Sequence, residues 1–176
     1  MEHLPIFLSV RGQFCVVVGG GEIATRKVTL LLRADAHVQV VAPELCPNLT
    51  KLRDEGRIEH LGRGYRDGDL DDAYLAIAAT DSAEINHEVA VAGRTQGIPV
   101  NVVDYPEDGS FIMPSIIDRS PVIAAVSTSG ASPVLARLIR SRLESLIPAG
   151  YGRLAELAGK FRERVKETFK DPADRR

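Results

Sequence analysis

The chain has 176 residues, of which 44% are hydrophobic, and a formal net charge of −2 at pH 7. This composition is typical of a globular protein with one domain and an appendage, or with two small domains. It argues against a nucleic-acid partner, because there is no basic excess, and against a membrane span, because no apolar run approaches ~18–20 residues. Met1 to Pro5 lacks the layout of a signal peptide. Cys15 and Cys46 form no C-x-x-C pair, so we expect reduced thiols in a cytoplasmic protein.

Alternating apolar patterns predict strands and helices over the first hundred residues. Leu4 to Val10 is apolar and predicts a short strand or an arm laid against a sheet. Further strands are predicted at 14–18, 38–42, 58–61, 73–78 and 99–103. One helix is predicted after the first strand and another near 47–55. A third is predicted from a cap at Asp81, with Glu84 completing a capping box, to a stop at Gly97. This alternation is typical of a doubly wound parallel sheet in the α/β class.

A glycine-rich turn joins the first strand to the first helix. Gly19-x-Gly21-x-x-Ala24 has the spacing of a dinucleotide-binding turn, in which the first glycine allows a tight bend and the second lets a pyrophosphate approach. The helix that follows would offer its free N–H groups to a phosphate. Its apolar face is made by Ala24, Val28, Leu31 and Leu32. A strand follows this helix, so the βαβ unit is complete and favours a Rossmann-type nucleotide site over a bare turn.

The pattern changes near Gly109, where a second kind of structure is predicted. Two strand-like runs, 111–117 and 122–126, are joined by 118–121 and predict a hairpin. Ser132 then caps a helix with Pro133 at its first position. The apolar face of that helix is predicted to consist of Val134, Leu135, Leu138, Ile139, Leu143, Leu146 and Ile147. A last helix is predicted at about 154–169, before a charged tail.

These patterns predict three parts. Residues 1–110 form a nucleotide-binding domain, 111–147 a hairpin-plus-helix dimerisation region, and 148–176 a helical segment with a charged tail. The hairpin runs are apolar over more of their length than a small exposed excursion would tolerate. We therefore expect a homodimer through 111–147.

Several short motifs occur in one order along nearly the whole chain, to about residue 170. They are His3–Phe7, the Val-Gly-Gly-Gly turn, Leu75–Asp81, Asn101–Asp104, Ser110–Pro114 and Ser127–Pro133. In this combination the chain resembles the dehydrogenase and ferrochelatase module of sirohaem synthase, also found as a stand-alone precorrin-2 dehydrogenase. The resemblance implies NAD-dependent oxidation of precorrin-2 to sirohydrochlorin, and in some members ferrous iron insertion as a lyase reaction that gives sirohaem. It also implies a homodimer. The methyltransferase domain of multifunctional sirohaem synthases is not expected in a chain of this length.

The predicted cofactor site lies beyond the carboxyl ends of the strands, where open parallel sheets bind their ligands. The residues expected there are Gly19, Gly21, Glu22, Ile23, Ala24, Pro43, Glu44, Ala79 and Thr80. An acidic residue ~20 positions after the glycines, which would bind the ribose hydroxyls, is not clearly present. Glu44 is a late candidate, and a carboxylate that only begins a helix is an equal alternative. The choice of NAD over NADP therefore rests on the resemblance.

Asp104 is the predicted catalytic residue. It ends the fifth strand, and a carboxylate there could accept the proton that accompanies hydride loss. The family assigns the matching aspartate this role in oxidation and in metal insertion. A strand-end aspartate that caps a turn is the alternative, and Asp108 and Asp118 are weaker catalytic candidates. The four histidines are scattered, so no permanent metal site is expected.

The substrate carboxylates have predicted partners after the hairpin. Ser127, Thr128 and Ser129 could bind them through hydroxyls and loop amides, and Arg137 could do so through its guanidinium. A polar helix-entry loop and a solvated helix face are the alternatives.

Two competing functions remain open. One is a dehydrogenase without chelatase activity, which nothing in the residues separates from the bifunctional enzyme. The other is a non-catalytic Rossmann nucleotide sensor, which explains the glycines but neither Asp104 nor the hairpin-plus-helix extension. A short-chain reductase is disfavoured, since no Tyr is followed four residues later by Lys.

Overall fold

The first of two compact units is built on a parallel sheet that matches the apolar runs. The computed structural model describes residues 1–168, which divide into one unit spanning Met1–Ile112 and a second that begins at Met113. The strands of the first unit are β1 (Phe14–Val18), β2 (His37–Val41), β3 (Glu59–Leu61), β4 (Leu75–Ala78) and β5 (Val100–Val102). Their order is β3-β2-β1-β4-β5, and all neighbours are parallel. The predicted α/β class is confirmed; β1 has its predicted bounds, and the other strands have ends shifted by one or two residues.

Three helices cover the two faces of this sheet. They are α1 (Glu22–Arg33), α2 (Pro47–Asp54) and α3 (Ala83–Gln96). Val28 of α1 and Leu49 of α2 are buried in one cluster with Val17, whereas Val89 of α3 is buried on the other side with Val16. Because helices lie on both faces, β1 is a continuous apolar run and not an alternating one.

One local prediction for this unit is wrong, and one of two alternatives for another segment is excluded. The cap of α3 is Ser82 and not Asp81, because Ser82 is extended and its hydroxyl accepts a hydrogen bond from the Ile85 N–H at 3.2 Å. The left-handed stop at Gly97 is confirmed. Leu4 to Val10 forms no strand, and Ile6 and Phe7 are exposed, whereas Val10 at its end is buried. Val10 is therefore the one residue of the 4–10 segment that is buried in the first unit.

The second unit is a hairpin with two helices. β6 (Ser115–Arg119) pairs antiparallel with β7 (Val122–Val126), and α4 (Pro133–Leu146) and α5 (Gly150–Thr168) follow. The hairpin is confirmed, but its first strand begins after Pro114 and includes Asp118 and Arg119, so the turn is shorter than predicted. The predicted Ser132 cap of α4 is confirmed, with Leu135 N–H donating to its hydroxyl at 3.2 Å. The charged tail beyond residue 168 lies outside the described residues.

The predicted apolar face of α4 is largely uncovered within the single chain. Ala136 is the buried residue of this helix, while Val134 and Leu146 are each 69% exposed. A two-stranded hairpin is too small to cover a helix face of this width. Ion pairs connect the other side of α4 to the hairpin. Glu144 of α4 pairs with Arg119 of β6 at 3.2 Å and with Arg140 of α4 at 2.8 Å. None of the helices described within residues 1–168 combines the length and the apolar character of a membrane-spanning segment.

Candidate functional site

A cleft of about 1030 Å³ opens at the carboxyl ends of β1, β2, β4 and β5, within the first unit. Its volume is on the scale of ligand sites, roughly 300–1,000 Å³. The predicted site residues that line it are Gly19, Gly21, Glu22, Ile23, Pro43, Glu44, Ala79, Thr80 and Asp104. Ala24, on the inner face of α1, is fully buried in the core and does not line the cleft. The fold therefore brings nearly all predicted cofactor residues and the predicted catalytic residue to one place.

The three glycines of the turn have different structural roles. Gly19 has φ +127, and a Cβ there would collide with the backbone carbonyl of Ala79. A Cβ on Gly20 would collide with the backbone carbonyl of Glu44. A Cβ on Gly21 would meet nothing within 4 Å. Gly19 and Gly20 therefore allow three loops to approach each other, whereas Gly21 keeps open the space in front of the helix.

The N-terminus of α1 faces this space with free donors. Gly21 is its extended N-cap and supplies no side chain to the first-turn N–H groups. The Glu22 carboxylate lies 3.4 Å from Asn48 Nδ2, which donates to it from α2. This contact directs the carboxylate towards α2. The helix end combines free N–H groups with a positive dipole, so it suits a phosphate.

The loops after β2 and β4 are held by specific hydrogen bonds. The Cys46 N–H donates to the Gly20 carbonyl at 2.8 Å, which fixes the connection containing Pro43 and Glu44. Thr80 is held by Asn86, a side chain of α3 that is only 2% exposed. Asn86 Oδ1 accepts from Thr80 N at 3.1 Å and from Thr80 Oγ1 at 2.9 Å, and its Nδ2 donates to the Thr80 carbonyl at 2.9 Å.

Asn86 and Tyr65 are cleft residues that the sequence prediction missed. Asn86 falls on the buried face of a helix, and the signal was a polar residue within that apolar face. Tyr65 lines the cleft from the β3–β4 connection, and its buried hydroxyl has no hydrogen-bond partner among residues 1–168. Burial raises the pKa of Tyr65, and the nearby carboxylates Asp67 and Asp69 raise it further. Its hydroxyl is therefore a neutral, buried donor at physiological pH.

The charge of the cleft is entirely acidic among its described lining residues. Four carboxylates line it, those of Glu22, Glu44, Asp81 and Asp104, and no Lys, Arg or His does. Such a lining disfavours additional phosphate groups away from the N-terminus of α1. Asp104 lies two residues after the end of β5, is exposed, and has a left-handed backbone with φ 65. A non-glycine residue in that conformation is held by its surroundings.

The two weaker acidic candidates lie outside the cleft. Asp108 contacts His87 at 3.4 Å, and Asp118 accepts from the Ser120 N–H at 2.9 Å in the hairpin turn. Neither lines the cleft. Among the residues that the structure describes, no group of three or more His, Cys, Asp or Glu could hold a metal ion.

The predicted substrate residues belong to the second unit. Thr128 Oγ1 accepts from the Ser132 N–H at 3.0 Å and donates to the Ser132 carbonyl at 3.1 Å, so it stabilises the start of α4. Ser127 Oγ accepts from the Ser129 N–H at 3.0 Å. Arg137 is exposed, and its Nε donates to the Pro133 carbonyl at 3.3 Å. All three serine and threonine residues and Arg137 lie at or just before the first turns of α4.

Three family models match successive parts of the chain. Residues 6–115 match a family described as putative NAD(P)-binding. Residues 125–146 match the central region of the sirohaem biosynthesis protein, and residues 150–176 match the sirohaem synthase dimerisation region.

Similar proteins carry related names. The sirohaem synthase of Methylobacillus flagellatus is 56% identical over 176 residues, which is 100% of this chain and 38% of that protein. The sirohaem synthase of Chromobacterium violaceum is also 56% identical, over 100% of this chain and 37% of that protein. The chain thus spans less than two-fifths of the length of these relatives. Among solved structures, the precorrin-2 dehydrogenase SirC matches with a TM-score of 0.80 and 24% identity, over 98% of this chain and 85% of that one. This last match shows a shared fold.

Proposed function

Because the chain belongs to the sirohaem synthase family and carries its NAD(P)-binding domain, we propose that it oxidises precorrin-2 to sirohydrochlorin. NAD+, when bound, would accept the hydride, and the products would be sirohydrochlorin, NADH and a proton. The observation that carries the proposal is the shared cleft. The open space at Gly21 and the carboxylate of Asp104 face the same cavity, at the carboxyl edge of the sheet.

The residues of the first unit have distinct proposed roles. The N–H groups after Gly21 bind the pyrophosphate, and the loops containing Glu44 and Thr80 bind the remainder of the dinucleotide. Thr80 is suited to this role because Asn86 holds its backbone and hydroxyl in one arrangement. Asp104, at the end of β5, accepts the proton that the tetrapyrrole loses.

The acidic lining supports NAD over NADP. A 2′-phosphate would have to enter a cleft with four carboxylates and no cationic side chain among its described lining residues. A ribose 2′-hydroxyl, in contrast, can donate to the Glu44 carboxylate. We therefore propose NAD as the cofactor and Glu44 as the residue that binds the ribose.

Ferrous iron insertion into sirohydrochlorin is the second proposed activity. The product tetrapyrrole must lose two pyrrole protons to bind the metal, and Asp104 faces the same cleft as a base. Iron would be a substrate held by the tetrapyrrole nitrogens. For both steps, we propose that the tetrapyrrole carboxylates are bound by Ser127, Thr128, Ser129 and Arg137. The hydroxyls and the exposed guanidinium at the start of α4 support this role. A dehydrogenase without chelatase activity is the alternative.

Free thiols support a reducing compartment. Cys15 and Cys46 are unpaired, and burial raises the pKa of Cys15 to about 11, so that thiol is protonated and unreactive. We propose that the protein acts in the cytoplasm.

One assay tests the proposed function. Precorrin-2 and NAD+ are supplied to the chain, and sirohydrochlorin formation is followed by absorbance together with NADH. Ferrous or cobaltous ion is then added, and the spectrum of the metallated product is recorded. Oxidation without metallation would support the dehydrogenase alone. Tight NAD+ binding without any oxidation would instead favour a nucleotide sensor.

A further inference from the structure

Asn86 is a polar side chain within the buried face of α3, beside the loop that joins β4 to this helix. It is 2% exposed and shares the buried face with Val89 and Ala90. Asn86 lies near the start of α3, and helical side chains lean towards the N-terminus, so its carboxamide reaches back over the helix start to the loop. A buried amide is costly unless its hydrogen bonds are made, so its partners indicate its role.

The three hydrogen bonds of the Asn86 carboxamide all go to Thr80. Its Oδ1 accepts from the Thr80 N–H and hydroxyl, and its Nδ2 donates to the Thr80 carbonyl. The Thr80 hydroxyl also accepts from the Ser82 N–H at 3.2 Å, and the Ser82 carbonyl, at 3.1 Å, is a second acceptor for its single hydrogen. Both donors of Thr80, its N–H and its O–H, are therefore used inside the loop, and a ligand could take neither without breaking a contact.

The loop that Asn86 holds is packed against the glycine turn. A Cβ on Gly19 would collide with the Ala79 carbonyl and would lie 3.3 Å from the Thr80 nitrogen. The Ala79 N–H donates to the Val18 carbonyl at 2.8 Å, just before this turn. The Thr80 nitrogen is thus both a close neighbour of Gly19 and a donor to Asn86. Losing the contact to Asn86 would release backbone that forms one wall of the turn where the pyrophosphate is proposed to bind.

We propose that Asn86 is a positioning residue for NAD+: by holding Thr80 it fixes the β4–α3 loop against Gly19, so that this wall of the cleft is formed before the cofactor binds. The inference rests on the proposed use of the cleft and deepens it, because it assigns the contribution of the loop to its backbone shape and not to donation by the Thr80 hydroxyl. A preformed wall raises affinity, since no loop has to be ordered on binding. Asn86 needs no contact with the dinucleotide in this role.

The first test measures NAD+ affinity by calorimetry. Asn86→Leu keeps the branched shape of the side chain but removes all three hydrogen bonds, so the Kd for NAD+ should rise by roughly tenfold, because a loop with unsatisfied buried groups populates other arrangements. Thermal unfolding checks that the variant is folded. Thr95→Leu is the matched control and should bind as the wild type does, since Thr95 is an exposed residue of the same helix whose hydroxyl donates to the Val91 carbonyl. A folded Asn86→Leu with wild-type affinity would overturn the proposal.

The second test separates the hydrogen bonds from the packing. An ionised Asn86→Asp side chain still accepts from Thr80 but cannot donate to the Thr80 carbonyl, so at about pH 8 it should bind NAD+ more weakly than the wild type. Burial favours the protonated acid, which can donate again, so the ratio of its Kd to the wild-type Kd should fall towards one as the pH is lowered to about 5.5. The wild type is measured at each pH, because the cleft contains other carboxylates. An Asn86→Asp chain that matches Asn86→Leu at both pH values would overturn the proposal.

The third test uses the kinetics of precorrin-2 oxidation. Asn86→Leu should raise the KM for NAD+ more than it lowers kcat at saturating NAD+, because the loop forms part of the cofactor site and not of the reacting groups. A fall in kcat with an unchanged KM for NAD+ would count against the positioning role. If the wild-type chain binds NAD+ but fails to oxidise precorrin-2, the proposed function is wrong, and the two calorimetric tests still decide the role of Asn86.

Discussion

Single residues in the glycine turn separate ligand binding from folding. Gly20 and Gly21 are neighbours, but only Gly20 is pressed against another backbone, at the Glu44 carbonyl. The space in front of Gly21 is open, at the end of a helix whose first-turn N–H groups have no side-chain cap. We therefore expect a side chain at position 20 to destabilise the fold, and a side chain at position 21 to obstruct ligand binding.

We expect Gly21→Asp to abolish NAD+ binding while the fold survives. The new side chain would occupy the path of the pyrophosphate, and its charge would repel it. Calorimetry measures the affinity, and thermal unfolding checks the fold. Gly20→Ala is the contrasting variant, which should lower stability by roughly 1–3 kcal/mol because a backbone must shift. Unchanged NAD+ affinity in Gly21→Asp would show that the turn has been assigned wrongly.

At Asp104 the expected loss is catalytic. Asp104→Asn keeps the shape and polarity of the side chain but removes its basic oxygen, so precorrin-2 oxidation should fall by at least about 10²-fold with NAD+ affinity nearly intact. Chelation of supplied sirohydrochlorin should fall in the same variant if one pocket serves both steps. Asp81→Asn is the control, because this carboxylate also lines the cleft. Near-wild-type oxidation by Asp104→Asn would show that this residue only stabilises a turn. Loss of oxidation with intact metal insertion would show that the two steps use different groups.

At the scale of elements, connections between strands carry the site, and a salt bridge stabilises one of them. Arg63 and Asp69 lie in the β3–β4 connection that carries Tyr65 to the cleft. Arg63 donates to both carboxylate oxygens of Asp69, at 2.7 and 2.6 Å. The Asp69 oxygens also accept the Arg66 N–H at 2.8 Å. These contacts close the connection into a compact loop.

Asp69→Asn should therefore destabilise the protein in a pH-dependent way. The hydrogen bond from Arg63 holds the pKa of Asp69 below its ordinary value in the folded chain. The stabilisation is thus fully present above the unfolded pKa and is lost as the pH falls through the folded one. Urea unfolding at neutral pH should show a lower midpoint for the variant, and the difference should vanish in acid. Asp67→Asn, in the same loop, is the control, and equal effects of both variants at neutral pH would argue against the salt bridge.

For the whole molecule, the exposed apolar residues of the second unit determine the expected assembly. Leu138 of α4 and Leu154, Leu157 and Phe161 of α5 are each at least half exposed. An apolar surface of this extent on a monomer is typical of an interaction site. Part of it lies in the segment that matches the sirohaem synthase dimerisation region.

We predict an obligate homodimer through the second unit, centred on 111–147. Light scattering at micromolar concentration should give twice the mass of one chain, and Leu138→Asp should give a monomer or an unstable protein, because a buried charge would lack a partner. Val91→Asp, at an exposed apolar position of α3, is the control and should leave the dimer intact. A wild-type chain that is monomeric and active would contradict this prediction.

The sequence by itself determined the alternation of strands and helices, the order of the cleft loops and the end of α3 at Gly97. These features follow from local rules: an apolar run long enough for a strand, a period of 3.6 for a helix, and glycine where the backbone is left-handed. Because all parallel strands end at one edge, even the grouping of Gly21, Thr80 and Asp104 could be predicted.

Only the tertiary structure decided which side chains support that edge. Ser82 and not Asp81 caps α3, and Asn86 holds Thr80 from the helix that follows it. The apolar face of α4, which its periodicity predicted, is largely exposed in one chain. The cap and the Thr80 contact depend on the backbone geometry of residues three to six apart in sequence, and the exposure of α4 depends on how much surface the neighbouring hairpin offers. A local pattern contains neither, because it specifies which face of an element is apolar but not what lies against it.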